Sequence, residues 1–112
     1  MLGMGGEALK GHLDLLLLTS IEVGAAHGYA IAEKLRQASG GTFDLPDGTI
    51  YPALHRLRDA GLVTSEWSDD GRRRRRIYAL TAKGRKALTE QRANWARFER
   101  GVRSVLALTP IQ

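Results

Sequence analysis

The sequence predicts a mainly α chain with a small β-hairpin: a winged helix-turn-helix followed by a long C-terminal helix. Three observations predict it. Apolar residues recur at helical spacing in segments that end on glycine, at Gly24, Gly40 and Gly61. Two β-prone stretches then flank the turn-forming residues Ser68, Asp69, Asp70 and Gly71. Beyond them Leu88, Gln91, Trp95, Phe98, Val102 and Val105 are spaced 3, 4, 3, 4 and 3, the period of a helix with one packing seam.

Taken in order, residues 1–8 are glycine-rich and are expected to form a flexible N-terminal segment. Helical character begins near Glu7 and is strong over residues 12–23. There Leu13, Leu15, Leu16, Leu17, Leu18 and Ile21 point almost all round the helix, which must then be covered on most sides. A domain this small has difficulty doing so alone, which argues for a partner chain. Residues 24–28 form a turn, and a second helix runs over about 29–38, with Ile31, Leu35 and Ala38 on one face. Phe43 and Leu45 anchor the connection that follows. The third helix is expected to start at Asp47 or Gly48, with Asp47 as its cap and Pro52 in its first turn, and to stop at Gly61. Ile50, Leu54 and Leu57 make its apolar stripe; Tyr51, His55 and Arg58 lie alongside at the same spacing. Strands are expected near residues 62–67 and 76–80, and Thr81 caps a last helix reaching about Leu108. The chain thus divides into residues 1–8, a winged helix-turn-helix at 9–80, a dimerisation helix at 81–108 and a tail at 109–112.

The bulk properties exclude several classes of function. With 112 residues, 43% of them hydrophobic and 26% charged, the chain has the composition of one folded domain. It contains 0 cysteines, so disulfides, thiol catalysis and thiolate metal sites are ruled out. Its longest apolar runs, residues 15–18 among them, are far too short to span a membrane, and the N-terminus lacks the apolar core of a signal peptide, so a cytoplasmic location is expected. A net charge of +5 suits a polyanionic partner. His12, His27 and His55 lie apart, without the close pairing of a metal motif. No nucleophile–base pair, paired-carboxylate site or phosphate-cradling glycine loop stands out, so no cofactor and no enzymatic activity are expected.

The five arginines from Arg72 to Arg76 sit at the tip and returning arm of the expected hairpin. Arginine forks match phosphate oxygens and guanine edges, so the run is read as a wing beside a major-groove helix. Alternate side chains of a strand face opposite ways, so Arg72, Arg74 and Arg76 cannot all do the work of Arg73 and Arg75. The bland alternative is a solvated charged loop; a nuclear localisation signal has no structural support here.

Four stretches resemble the PadR transcriptional regulators: LKGHLDLLLL at 9–18, HGYAIAEKL at 27–35, DGTIYPALHRLRDAGLV at 47–63 and GRRRRRIYALTAKG at 71–84. The chain is similar to the short subclass, with one helix after the wing. The resemblance implies a homodimeric bacterial repressor whose third helix and wing bind double-stranded DNA at an inverted repeat. It also implies that the last helix packs on the partner's first helix. DNA-facing candidates are Lys10, Thr49, Tyr51, His55, Arg56, Arg58, Arg72, Arg73, Arg74 and Arg75. Tyr51 matches a family tyrosine implicated in DNA contact, and packing at the edge of the core is its other reading. Dimerisation candidates are Leu16, Leu88, Gln91, Trp95, Phe98, Val102 and Val105. In multidrug-responsive relatives a tryptophan at the place of Trp95 stacks on flat aromatic compounds. Trp95, Leu15 and Phe98 are therefore candidates for a planar aromatic ligand, with plain dimer core as the alternative. Trp67 is read as structural. Pro46 and Arg58 depart from the family pattern near the DNA surface, so no operator sequence carries over. A protein-interaction module using the basic face on an acidic partner remains the alternative function.

Overall fold

The computed structural model describes residues 9, 11–69 and 74–111. The expected flexible segment, Lys10, Arg72 and Arg73 lie outside the described residues. The elements run α1 (Leu13–Glu22), α2 (Gly28–Ala38), α3 (Asp47–Asp59), β1 (Val63–Asp69), β2 (Arg74–Leu80) and α4 (Ala82–Leu106). This is a winged helix-turn-helix with a long C-terminal helix. No helix among the described residues is long and apolar enough to cross a membrane.

The three short helices stop in the same way. Each is followed by a glycine at positive φ: Gly24 at 113°, Gly40 at 62° and Gly61 at 78°. An L side chain resists that conformation, and it lets the next amide reach back to an orphan carbonyl of the last turn. Leu62 N–H thus donates to the Leu57 carbonyl at 3.0 Å, and Gly61 N–H to that of Arg58 at 2.9 Å. The same reversal carries the chain out of α3 and straight into the hairpin.

One core holds the elements together. Leu17 and Leu18 of α1, Ile31 of α2, and Ile50, Leu54 and Leu57 of α3 are wholly buried, and Val63, Tyr78 and Leu88 close the cluster from the hairpin and α4. The apolar stripe expected on α3 is this face. The α1 leucines divide: Leu17 and Leu18 are covered, while Leu13, Leu15 and Leu16 are only partly so. Phe43 and Leu45 anchor the α2–α3 connection as expected.

Several boundaries differ from expectation for identifiable reasons. The first helix starts at Leu13 rather than near Glu7, because Gly11 adopts φ 90° and His12 N–H turns back to the Leu9 carbonyl at 2.8 Å. Leu9 is nonetheless buried in the core. Pro46, not Asp47, is the N-cap residue of α3, and no side chain caps that end. Pro52 consequently lies inside the helix rather than in its first turn, with no N–H to offer the Gly48 carbonyl. Ala38 is exposed at the end of α2 rather than facing the core. Both arms of the hairpin run past the expected strand ends, so that pairing continues from Trp67–Arg76 to Asp69–Arg74. Opposite charges and an arginine–indole pair across the strands favour that extension.

The hairpin and α4 are locked to the end of α3. Thr81 caps α4 as expected, its hydroxyl accepting from Gly84 N–H at 2.9 Å. The same hydroxyl donates to the Gly61 carbonyl at 2.6 Å, and Lys83 Nζ donates to that of Ala60 at 2.8 Å. A cation there also suits the negative end of the α3 dipole. On the other side, Tyr78 N–H donates to the Ala26 carbonyl at 2.7 Å, tying β2 to the turn before α2. The wing is thus held at its base from two directions.

Candidate nucleic-acid interface

The outer face of α3 carries Tyr51, His55 and Arg56 in solvent, with Thr49 and Arg58 half-buried at its borders. This is the polar side left by the buried Ile50–Leu54–Leu57 stripe. Tyr51 does two things at once. Its ring lies against the bare backbone of Gly28, where an added Cβ would stand 2.5 Å from Cε1. It is still 37% exposed, so packing does not remove it from reach. Gly28 is therefore what allows α2 and α3 to meet through this ring.

Arg56 does not project freely. Its guanidinium makes two bonds across to Asp14 of α1, Nη1 to Oδ2 at 2.9 Å and Nη2 to Oδ1 at 2.5 Å. These hydrogen bonds hold its pKa above the usual arginine value. Arg58 makes a long contact, 3.4 Å, to its neighbour Asp59.

The wing arginines split as strand alternation requires. Arg74 and Arg76 both lie over the Trp67 ring, their guanidinium carbons 4.6 and 4.7 Å from its centroid. Arg75 points elsewhere and meets His27, Nη1 to Nε2 at 3.0 Å. His27 is also the N-cap of α2, its Nδ1 accepting from Ala30 N–H at 3.3 Å.

These groups face one another across a concavity of about 400 Å³. The start of α2 at His27, Gly28 and Tyr29 forms one wall, Tyr51 of α3 a second, and Trp67 with residues 74–76 the third. The concavity joins the outer face of α3 to the wing in a single basic and aromatic surface. Guanidiniums and phenol hydroxyls spaced across a groove of this kind suit a sugar–phosphate backbone.

Of the residues nominated from sequence, Tyr51, Arg74 and Arg75 come together here. Thr49, His55, Arg56 and Arg58 stand along the adjoining helix. Tyr29, which is 72% exposed at the concavity, and the Arg75–His27 contact were not among the features expected from sequence. Trp67, expected to be structural, is instead 54% exposed beneath two guanidiniums. The cross-strand pairing of Trp67 with Arg76 would have revealed it, but the hairpin register was not legible.

A second surface lies along α4. Leu88, expected on the seam, is 1% exposed and belongs to the chain's own core, so a partner cannot reach it. Gln91 is half-buried; beyond it Trp95, Phe98, Val102 and Val105 are exposed. Phe98, Gly101, Val102, Val105 and Leu106 line an open apolar groove of about 450 Å³. Trp95 meets the edge of His12 with centroids 5.2 Å apart, and Phe98 lies 5.8 Å from Trp95. Leu16 and Leu15 are partly buried on α1.

Known proteins share this architecture. Residues 17–90 match the Transcriptional regulator PadR-like family. The protein named Transcriptional regulator Rv3488, from Mycobacterium tuberculosis, is 41% identical over 66 residues, which span 59% of this chain and 59% of that one. The crystal structure of a PadR family transcriptional regulator from Eggerthella lenta superposes with a TM-score of 0.80 at 31% identity, covering 92% of this chain and 88% of that one. A PadR-like transcriptional regulator from Bacillus cereus gives a TM-score of 0.80 at 28% identity, over 93% of this chain and 100% of that one.

Proposed function

The chain belongs to the PadR-like family of transcriptional regulators, and we propose that it works as a homodimeric repressor on an inverted-repeat operator. Its activity is DNA-binding regulation, not catalysis. The observation that carries the finer reading is the concavity, where Tyr51, the wing arginines and the start of α2 open onto one surface beside the exposed face of α3. In this reading α3 enters the major groove through Thr49, Tyr51, His55 and Arg58. The wing, with Arg72 to Arg75, follows the adjacent backbone, and Lys10 adds a phosphate contact. Arg56 joins once DNA draws it from Asp14. The work is done in the cytoplasm, where the DNA is.

The uncovered seam of α4 supports the dimer: Trp95, Phe98, Val102 and Val105 await a second copy, with Leu16 of α1 and Gln91 at its edge. Two such chains place their α3 helices in successive major grooves, with half-site centres about 34 Å apart. The His12–Trp95–Phe98 ring cluster, with Trp95 and Phe98 exposed, supports release by a planar aromatic ligand stacking there, with Leu15 of α1 as a further candidate contact.

Selection of bound fragments from genomic DNA by the purified protein tests the reading. Enrichment of a palindrome with that half-site spacing is the expected outcome. Fragments with no shared motif, together with tight binding to an acidic protein, would turn the basic face over to protein recognition.

A further inference from the structure

We propose that Trp67 is a positioning residue for DNA binding, its indole holding the guanidiniums of Arg74 and Arg76 ready for the phosphate backbone. The inference rests on the DNA-binding reading above and adds the residue that prepares the wing for it.

Four observations carry it. The register sets Trp67 directly opposite Arg76, and Arg74 follows two residues along on the same side of the strand. Both guanidinium carbons stand within 4.7 Å of the ring centroid, inside the range of cation–π attraction. The indole is 54% exposed, so the burial of a core tryptophan does not account for it. It lines the same concavity as Tyr51, which places the two arginines on the α3 side of the wing.

An unconstrained arginine loses rotamer freedom when it grips a phosphate, and that loss opposes binding. Two guanidiniums already resting on a flat ring have lost much of it beforehand. The ring leaves the edge N–H groups of each fork free to donate, since stacking uses the guanidinium face. Arg75, on the opposite alternation, is held by His27 instead. Arg74 and Arg76 on one side and Arg75 on the other are thereby separately supported.

The test compares Trp67→Phe, Trp67→Leu and an Arg74→Ala/Arg76→Ala double variant by titration with operator DNA across a salt series. Trp67→Phe keeps a π face and should bind within about twofold of the parent, whereas Trp67→Leu keeps only apolar bulk and should bind about five- to tenfold more weakly. Its salt slope should fall toward that of the double arginine variant, and adding Trp67→Leu to that variant should change nothing further. Nitrogen-detected NMR of the free protein gives a DNA-independent reading: the ring-current shifts of the Arg74 and Arg76 Nε–H groups should vanish in Trp67→Leu. Unchanged affinity, slope and shifts in Trp67→Leu, alongside a weakened arginine variant, would overturn the positioning role and leave DNA binding intact. A parent protein that binds no DNA would bring down both.

Discussion

His27 is asked for two hydrogen bonds that one neutral ring cannot accept together. Its Nδ1 faces Ala30 N–H at the start of α2, and its Nε2 faces Arg75 Nη1. A neutral imidazole accepts at one nitrogen and donates from the other, so the helix cap and the wing arginine compete for the tautomer. The shorter Arg75 contact, 3.0 Å against 3.3 Å, favours the wing. Aspartate at this position accepts at the cap without choosing and suits the positive end of the helix dipole. His27→Asp is therefore expected to raise stability by about 0.5–1 kcal/mol. It also brings a negative charge to the concavity, so DNA affinity should fall as stability rises. Urea unfolding and DNA titration of the same variant check the pair of signs; a parallel change in both would refute the competition. Arg56 meets a milder version of the same constraint. Its bond to Asp14 is solvent-exposed at the arginine end, and such a pair contributes about 0–1 kcal/mol, so DNA phosphate can take the guanidinium over at little cost.

Among the elements, the junction between hairpin and α4 allows the least change. A Cβ on Gly84 would stand 1.9 Å from the Leu62 carbonyl oxygen, which is backbone and cannot swing aside. Gly84→Ala should destabilise the fold by about 3 kcal/mol through overpacking, despite the better helix propensity of alanine. Thermal unfolding measures it, and a neutral or stabilised variant would mean that α4 meets the hairpin differently. Gly84 was not singled out from sequence, because its role depends on a carbonyl in another element. What was legible was local. The glycine stops, the Thr81 cap, the buried stripe of α3 and the alternation of residues 74–76 each depend on near neighbours in the chain. What was not legible was the pairing between distant residues. The hairpin register rests on Trp67 meeting Arg76 across the strands, and the burial of Leu88 rests on α1 and β2 packing against α4. The candidate site divides in the same way. The polar face of α3 follows from spacing alone, whereas the concavity needs His27, Tyr51 and Trp67 brought together by the fold.

For the molecule as a whole, the distal half of α4 sets the central question. From Arg92 onward its apolar residues find little within the chain, and Arg92 itself reaches back to Glu22 at 2.7 Å as one of the last ties to α1. A helix does not keep Phe98, Val102, Val105 and Leu106 on one open groove for its own stability, since their burial is where most helical stability comes from. Val102→Glu separates the two cases. In a lone chain the position is 40% exposed and glutamate is a good helix former, so the substitution is nearly neutral. At a dimer seam it places an unpaired carboxylate between apolar surfaces, which is strongly unfavourable. Sedimentation velocity should therefore show a dimer for the parent and a monomer for Val102→Glu at the same micromolar concentration, with helical content retained. Operator affinity should fall by at least about a hundredfold, because two linked half-site contacts become two independent ones. A Val102→Glu protein that stays dimeric with unchanged affinity would show that the seam lies elsewhere on the surface.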